Sequence, residues 1–155
     1  MSSLRDLRRL LAFDDWANTQ VLNAVEPMAA DVHRAVAWMA HVMAAKWIWF
    51  ARVAGTTAPF PVNPELPAPD IRVQFAAGHE EWMRHLDGLT EADLDRVVRY
   101  SNLKGDPFQN TLAEILTHLG IHGQHHRGQC TAAIRQAGGS PPAIDYIHAT
   151  RSGAV

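Results

Sequence analysis

Apolar residues recur every three to four positions along four long stretches of the chain, with Gly, Pro and capping residues between them. The first stretch predicts a helix from Leu4 to Val25, with Ser2 or Ser3 as its N-cap and Pro27 as its stop. The second predicts a helix from Asp31 to Ala54, closed by Gly55. TTAPFPVNPELPAP follows with five prolines and must be a loop, since each proline fixes φ and removes a donor. Asp70 then caps a third helix reaching Leu89, and Thr111 with Glu114 makes the capping box of a fourth, which ends at Gly138–Gly139. Between these two, DRVVRYSNLKGDPFQ changes period. Val97, Val98 and Tyr100 ahead of Lys104–Gly105–Asp106 predict two short strands joined by a turn. The tail, SPPAIDYIHATRSGAV, reads as extended chain that lays Ile144, Tyr146 and Ile147 on the remainder. The expected fold is all-α, a four-helix bundle with a two-stranded hairpin between helices 3 and 4, in one domain over residues 1–155.

Turning each helix by about 100° per residue shows which polar side chains share its apolar stripe. On the fourth helix, Leu112, Ile115, Leu119, Cys130 and Ala133 define that stripe, and His122 and His126 fall close to its centre. His118 lies at the edge and His125 further round, towards solvent. On the second helix, His41 sits among Ala37, Trp38, Ala44, Ala45 and Ile48. Spacing i, i+4 lets two imidazoles share one metal, and His41 then supplies a third ligand. The same pattern is equally met by core histidines satisfied through hydrogen bonds. Two inward imidazoles side by side repel when protonated, however, and a metal removes that conflict by binding their neutral nitrogens.

The first helix places Asp14 and Asn18 on the stripe of Leu7, Leu11, Val21 and Val25. Inward polar groups need partners. Asp14 is the candidate to hold a metal-bound histidine by its free N–H or to serve as general base, and it equally fits a tie between helices. His79 shares a face with Phe75, Trp82 and Leu86 and is expected near the open end of the bundle. Cys130 is read as a small core residue rather than a ligand.

Composition excludes more than it adds. The net charge is −2, with 14 Lys and Arg against 16 acids and no basic run, so nucleic acid is not an expected partner. A single cysteine makes no intrachain disulfide, no apolar run spans a bilayer, and the charged N-terminus is no signal peptide. These features predict a soluble cytoplasmic protein. The telling number is nine histidines, four of them between 118 and 126. There is no Glu-x-x-His pair for a di-iron bundle, and no G-x-S-x-G elbow. His79–Glu80 fails as a metalloprotease motif because Met83 stands where the second histidine belongs.

HLGIHGQHHRGQ at 118–129 closely resembles the fourth-helix signature of the DinB/YfiT-like superfamily of metal-binding bundles. FDDWAN at 13–18 resembles its first-helix signature, MAHVMAAKWIWF at 39–50 its histidine-bearing second helix, and QAGGSPPAIDYI at 136–147 its usual ending. The resemblance implies a divalent metal cofactor, zinc or nickel, on His41, His122 and His126, the histidines that the helix faces also select. It implies a homodimer, with which an exposed Trp16 is compatible, and gives no role to Arg127, Gly128 or Gln129. Three ligands leave a position open, as in catalytic zinc sites. Relatives that use small thiols such as bacillithiol or mycothiol make thiol S-transfer on a small molecule the leading expectation. Metal-dependent hydrolysis stands next, and a non-catalytic metal- or ligand-binding stress-response protein is the alternative. The loop at 55–69, with Trp82 and Tyr100, is expected to line the substrate pocket.

Overall fold

The computed structural model describes residues 3–155, so the expectation for Ser2 lies outside the described residues. Helix α1 spans Leu4–Val25 and begins where Ser3 Oγ accepts the Asp6 amide while Asp6 answers on the Ser3 amide, a closed capping box. A 3-10 turn, Glu26–Met28, carries Pro27 and ends the helix. Helix α2 spans His33–Ala54, two residues shorter at its start than the pattern predicts, and Gly55 closes it in the left-handed region at φ 70°. Helix α3 spans Ala68–Asp87. It starts before Asp70 because Pro69 is accommodated in a first turn whose amides have no helical partner anyway. Strands β1, Val97–Ser101, and β2, Pro107–Thr111, pair antiparallel as the sequence predicts, with Tyr100 opposite Phe108. Helix α4 spans Leu112–Gln136 behind the predicted Thr111–Glu114 capping box.

The tail departs from expectation. Tyr146–Arg151 form a short helix, α5, rather than extended chain. Ile144 is buried, but Ile147 points outward, and Tyr146 meets α1 edge-to-face at Phe13, 5.2 Å between ring centres, and beneath the Arg9 guanidinium. A helical turn sends neighbouring side chains about 100° apart, so three residues that extended chain would share with the core cannot all face it.

Helices α1 and α2 stand on one diagonal, and α3 and α4 each pack against both. Two apolar clusters fill the interior. One gathers Val21, Met39, Met43, Phe75 and Ile134, the other Leu7, Leu11, Trp82, Leu116 and Leu119. Each such side chain, fully withdrawn from water, contributes about 1.5–3 kcal/mol before entropy is set against it. Asp14, Lys46 and Arg127 fall along their helices between members of the two clusters and are themselves buried. No described helix is long and apolar enough to cross a membrane.

Candidate metal centre

Helix α4 sets His122 and His126 one turn apart and aims both at α2, where His41 meets them. The ring centroids lie 5.1 Å (His41–His122), 4.8 Å (His41–His126) and 4.6 Å (His122–His126) apart. One nitrogen from each residue can be chosen so that all three lie within 4.8 Å of one another. The structure therefore brings together the three histidines that the sequence singled out. All three are half-buried rather than central to the core. The buried face of α4 holds Leu112, Ile115, Leu119 and Cys130 of the expected stripe and extends on the side away from the histidines to Leu116, Gly120, Gly123, Arg127 and Ile134. Likewise Ala37, expected on the apolar face around His41, is exposed, because α2 is apolar on nearly every side and its pattern does not choose a face.

Hydrogen bonds aim the imidazoles. A carbonyl only accepts, so His41 Nδ1 donates to Val62 O at 3.0 Å and presents its Nε2 lone pair to the cluster. His126 Nδ1 donates to Gln129 Oε1 at 2.7 Å, with the same result for its Nε2. His41 Nε2 and His122 Nε2 stand 3.2 Å apart. Two nitrogens bound at about 2.0–2.1 Å to a tetrahedral ion would be about 3.3 Å apart, so this donor pair fits such an ion. Burial, and then the neighbouring His126 and His41, push the His122 pKa down to about 4. Burial also lowers His126, against the opposing pull of Gln129. Both rings are consequently neutral near pH 7, the form that binds metal. No carboxylate joins the cluster among the described residues.

Asp14 is elsewhere. Its Oδ2 accepts from Lys46 Nζ at 2.9 Å and from Asn18 Nδ2 at 3.2 Å, and its Oδ1 pairs with Arg127 Nη1. Burial alone would raise its pKa, but Lys46 and Arg127 outweigh burial and hold the carboxyl below its usual range. A carboxylate between two cations is a weak base. The histidine-orienting task that the sequence gave to Asp14 falls instead to Val62 O and Gln129, and Asp14 ties α1 to α2 and α4. Gly123 makes room for that tie, since a Cβ there would come within 2.7 Å of Arg127 Nη1 and closer still to Asp14. Lys46 escaped sequence reasoning although its signal was visible, a single cation within the apolar run VMAAKWIWF.

The remaining candidates divide. Cys130 is buried, its Sγ donates to Ala35 O, and burial pushes its thiol up to about 12, so it is the core residue expected. His79 lies 4.0 Å from Asp15 on α1 and does not join the trio. His125 is exposed beside His126, and His118 is exposed against Trp49 and His122. Trp82 cannot line a pocket, because it is fully buried with its indole N–H on Lys46 O. The proline loop does reach the site, through Val62. Trp16 is half-buried against Phe13 rather than exposed. A surface recess of about 810 Å³ between Glu91–Asp95 and the start of α4 touches His118 but none of the three clustered histidines.

Fold and site together define a four-helix bundle with a three-imidazole cluster between its second and fourth helices. The chain belongs to the DinB family, whose sequence profile matches residues 6–153. It is similar to the Protein DinB of Bacillus subtilis (strain 168), at 24% identity over 158 residues that span 89% of this chain and 90% of that protein.

Proposed function

We propose that this protein is a metal-dependent enzyme that uses His41, His122 and His126 to hold one zinc or nickel ion, and that it transfers a small-molecule thiol to an electrophile. The observation that carries this reading is the donor set, three imidazoles with no carboxylate among them. A divalent ion held this way keeps its full charge, and so supplies Lewis acidity that favours an anionic ligand such as thiolate in the remaining position. The protein's own part is orientation. Val62 O holds the proton of His41 on Nδ1, and Gln129 Oε1 holds that of His126, so both Nε2 lone pairs stay aimed inward. Neither Asp14 nor Cys130 takes part. The first is consumed by two cations and the second is kept as a neutral thiol.

Metal content by plasma mass spectrometry tests the site, on untagged protein beside His122→Ala/His126→Ala. About one metal per chain in the parent, falling to near zero in the variant, is the expected result. A parent that stays metal-free after incubation with zinc and nickel ends the metalloenzyme reading. Cobalt-substituted protein then separates an enzyme using thiols from a closed binding site. Added 2-mercaptoethanol should produce a thiolate-to-cobalt absorption band, and its absence counts against thiol chemistry.

A further inference from the structure

Four arginines among the described residues are withdrawn from full exposure, namely Arg8, Arg52, Arg72 and Arg127. Three have a carboxylate partner: Asp87 for Arg8, Glu26 for Arg72 and Asp14 for Arg127. Arg52 has none among the described residues. Its guanidinium lies 4.4 Å from the ring centre of Trp49 and 4.5 Å from that of Tyr100. Those rings are themselves 4.9 Å apart and nearly perpendicular, at 76°. Three such separations place the guanidinium in the corner of two rings, covered on that side and not sandwiched. It makes one hydrogen bond, from Nη2 to Ser101 O at 3.3 Å, although a guanidinium carries five N–H donors. Burial lowers its pKa, Tyr100 acting the other way, as befits a cation drawn from water without a counter-charge.

Its place is as telling as its pairing. Residues 41 and 52 are eleven positions apart on α2, which returns Arg52 to within about 20° of His41 and about 16 Å along the axis. The side chain folds back over Trp49, so its charge stands nearer the histidines than that rise. His118 bridges the interval, with its ring 5.2 Å from Trp49 and 5.2 Å from His122. A strip of partly exposed side chains thus leads from the three histidines to a cation without a carboxylate partner among the described residues.

We propose that Arg52 is an anion subsite, binding the carboxylate or phosphate of an elongated small molecule whose other end reaches the three histidines. The reactive end rests on the function proposed above, whereas the anion subsite does not. Contact with two rings restricts the guanidinium before binding, and its free N–H groups suit two-pronged pairing with an oxyanion.

The test is NMR of arginine Nε–Hε groups in metal-free and zinc-loaded protein, with the Arg52 signal identified by its loss in Arg52→Gln. The probes are 8-mercaptooctanoate, 8-mercaptooctyl phosphate and 8-mercapto-1-octanol, whose chains reach about 11 Å. The Arg52 signal should shift saturably with at least one anion and stay put with the alcohol, and the two anion arms tell carboxylate from phosphate. Zinc-loaded protein should bind the preferred anion about tenfold tighter than the alcohol. That preference should shrink to below about twofold in Arg52→Gln and survive in part in Arg52→Lys, which keeps the charge if the glutamine variant folds poorly. An Arg52 signal that neither anion moves, or that the alcohol moves equally, overturns the subsite. A cobalt–thiolate band with the alcohol probe would then show that the thiol reading stands without it. A shifted Arg52 signal with no such band would leave the subsite standing and remove the thiol reading.

Discussion

Two polar clusters enter the interior from the same pair of helices and are completed in opposite ways. Lys46 and Arg127, with Asp14 and Asn18 from α1, form a fully buried group in which each oxygen of Asp14 has a donor. His41, His122 and His126 lie alongside, half-buried, with the outer N–H groups of His41 and His126 engaged and the Nε2 atoms of His41 and His122 facing one another. His126 and Arg127 are adjacent in sequence, and about 100° of helix rotation separates an imidazole of the open cluster from a structural cation. The buried cluster is closed and holds helices, while the half-buried one is open and holds donors ready for something added. Polar residues inside a bundle are therefore distinguished less by type than by whether the protein itself completes their bonding.

The largest effect should come from breaking the closed cluster. Asp14→Ala leaves Lys46 and Arg127 facing each other in the core and should cost about 3–5 kcal/mol in urea unfolding. A loss below about 1 kcal/mol would mean that the cluster is not what ties the helices. Gln129→Leu probes the open cluster with the opposite signature. Metal affinity should fall about 10–100-fold in competition with a chelator while unfolding stability stays within about 1 kcal/mol, and unchanged affinity would remove Gln129 from the site.

The smallest effect is a dependence of metal-free stability on pH. His122 titrates at about 4 in the folded chain and near 6.5 when free, so between those values the unfolded chain binds the proton first. Stability is therefore full above about 6.5 and declines as pH falls towards 4. His79, His85, His118 and His126 are lowered in the same direction. Urea unfolding at pH 7, 5.5 and 4.5 should show that decline, shallower in His122→Ala. Stability that rises on acidification would contradict the buried, neutral state assigned to these rings.

Local rules written in neighbouring residues made the four helices, the hairpin and the Thr111–Glu114 cap legible. The helix starts at His33 and Ala68 were displaced by two or three residues, because proline and weak caps leave the first turn loosely specified. Tail helix α5 was missed because six residues carry too little periodicity to declare themselves.

By itself the sequence determined that a bundle forms and that three histidines can meet in it, since period and i, i+4 spacing are properties of one helix at a time. Only the tertiary structure decided what each polar residue is for. Asp14 became the partner of two cations, Val62 and Gln129 became the supports of His41 and His126, and Arg52 was left without a counter-charge among the described residues. The Asp14 and Val62 contacts depend on which elements face which, across separations of 21 to 113 residues that no local pattern encodes, whereas Gln129 stands one turn from His126 on the same helix.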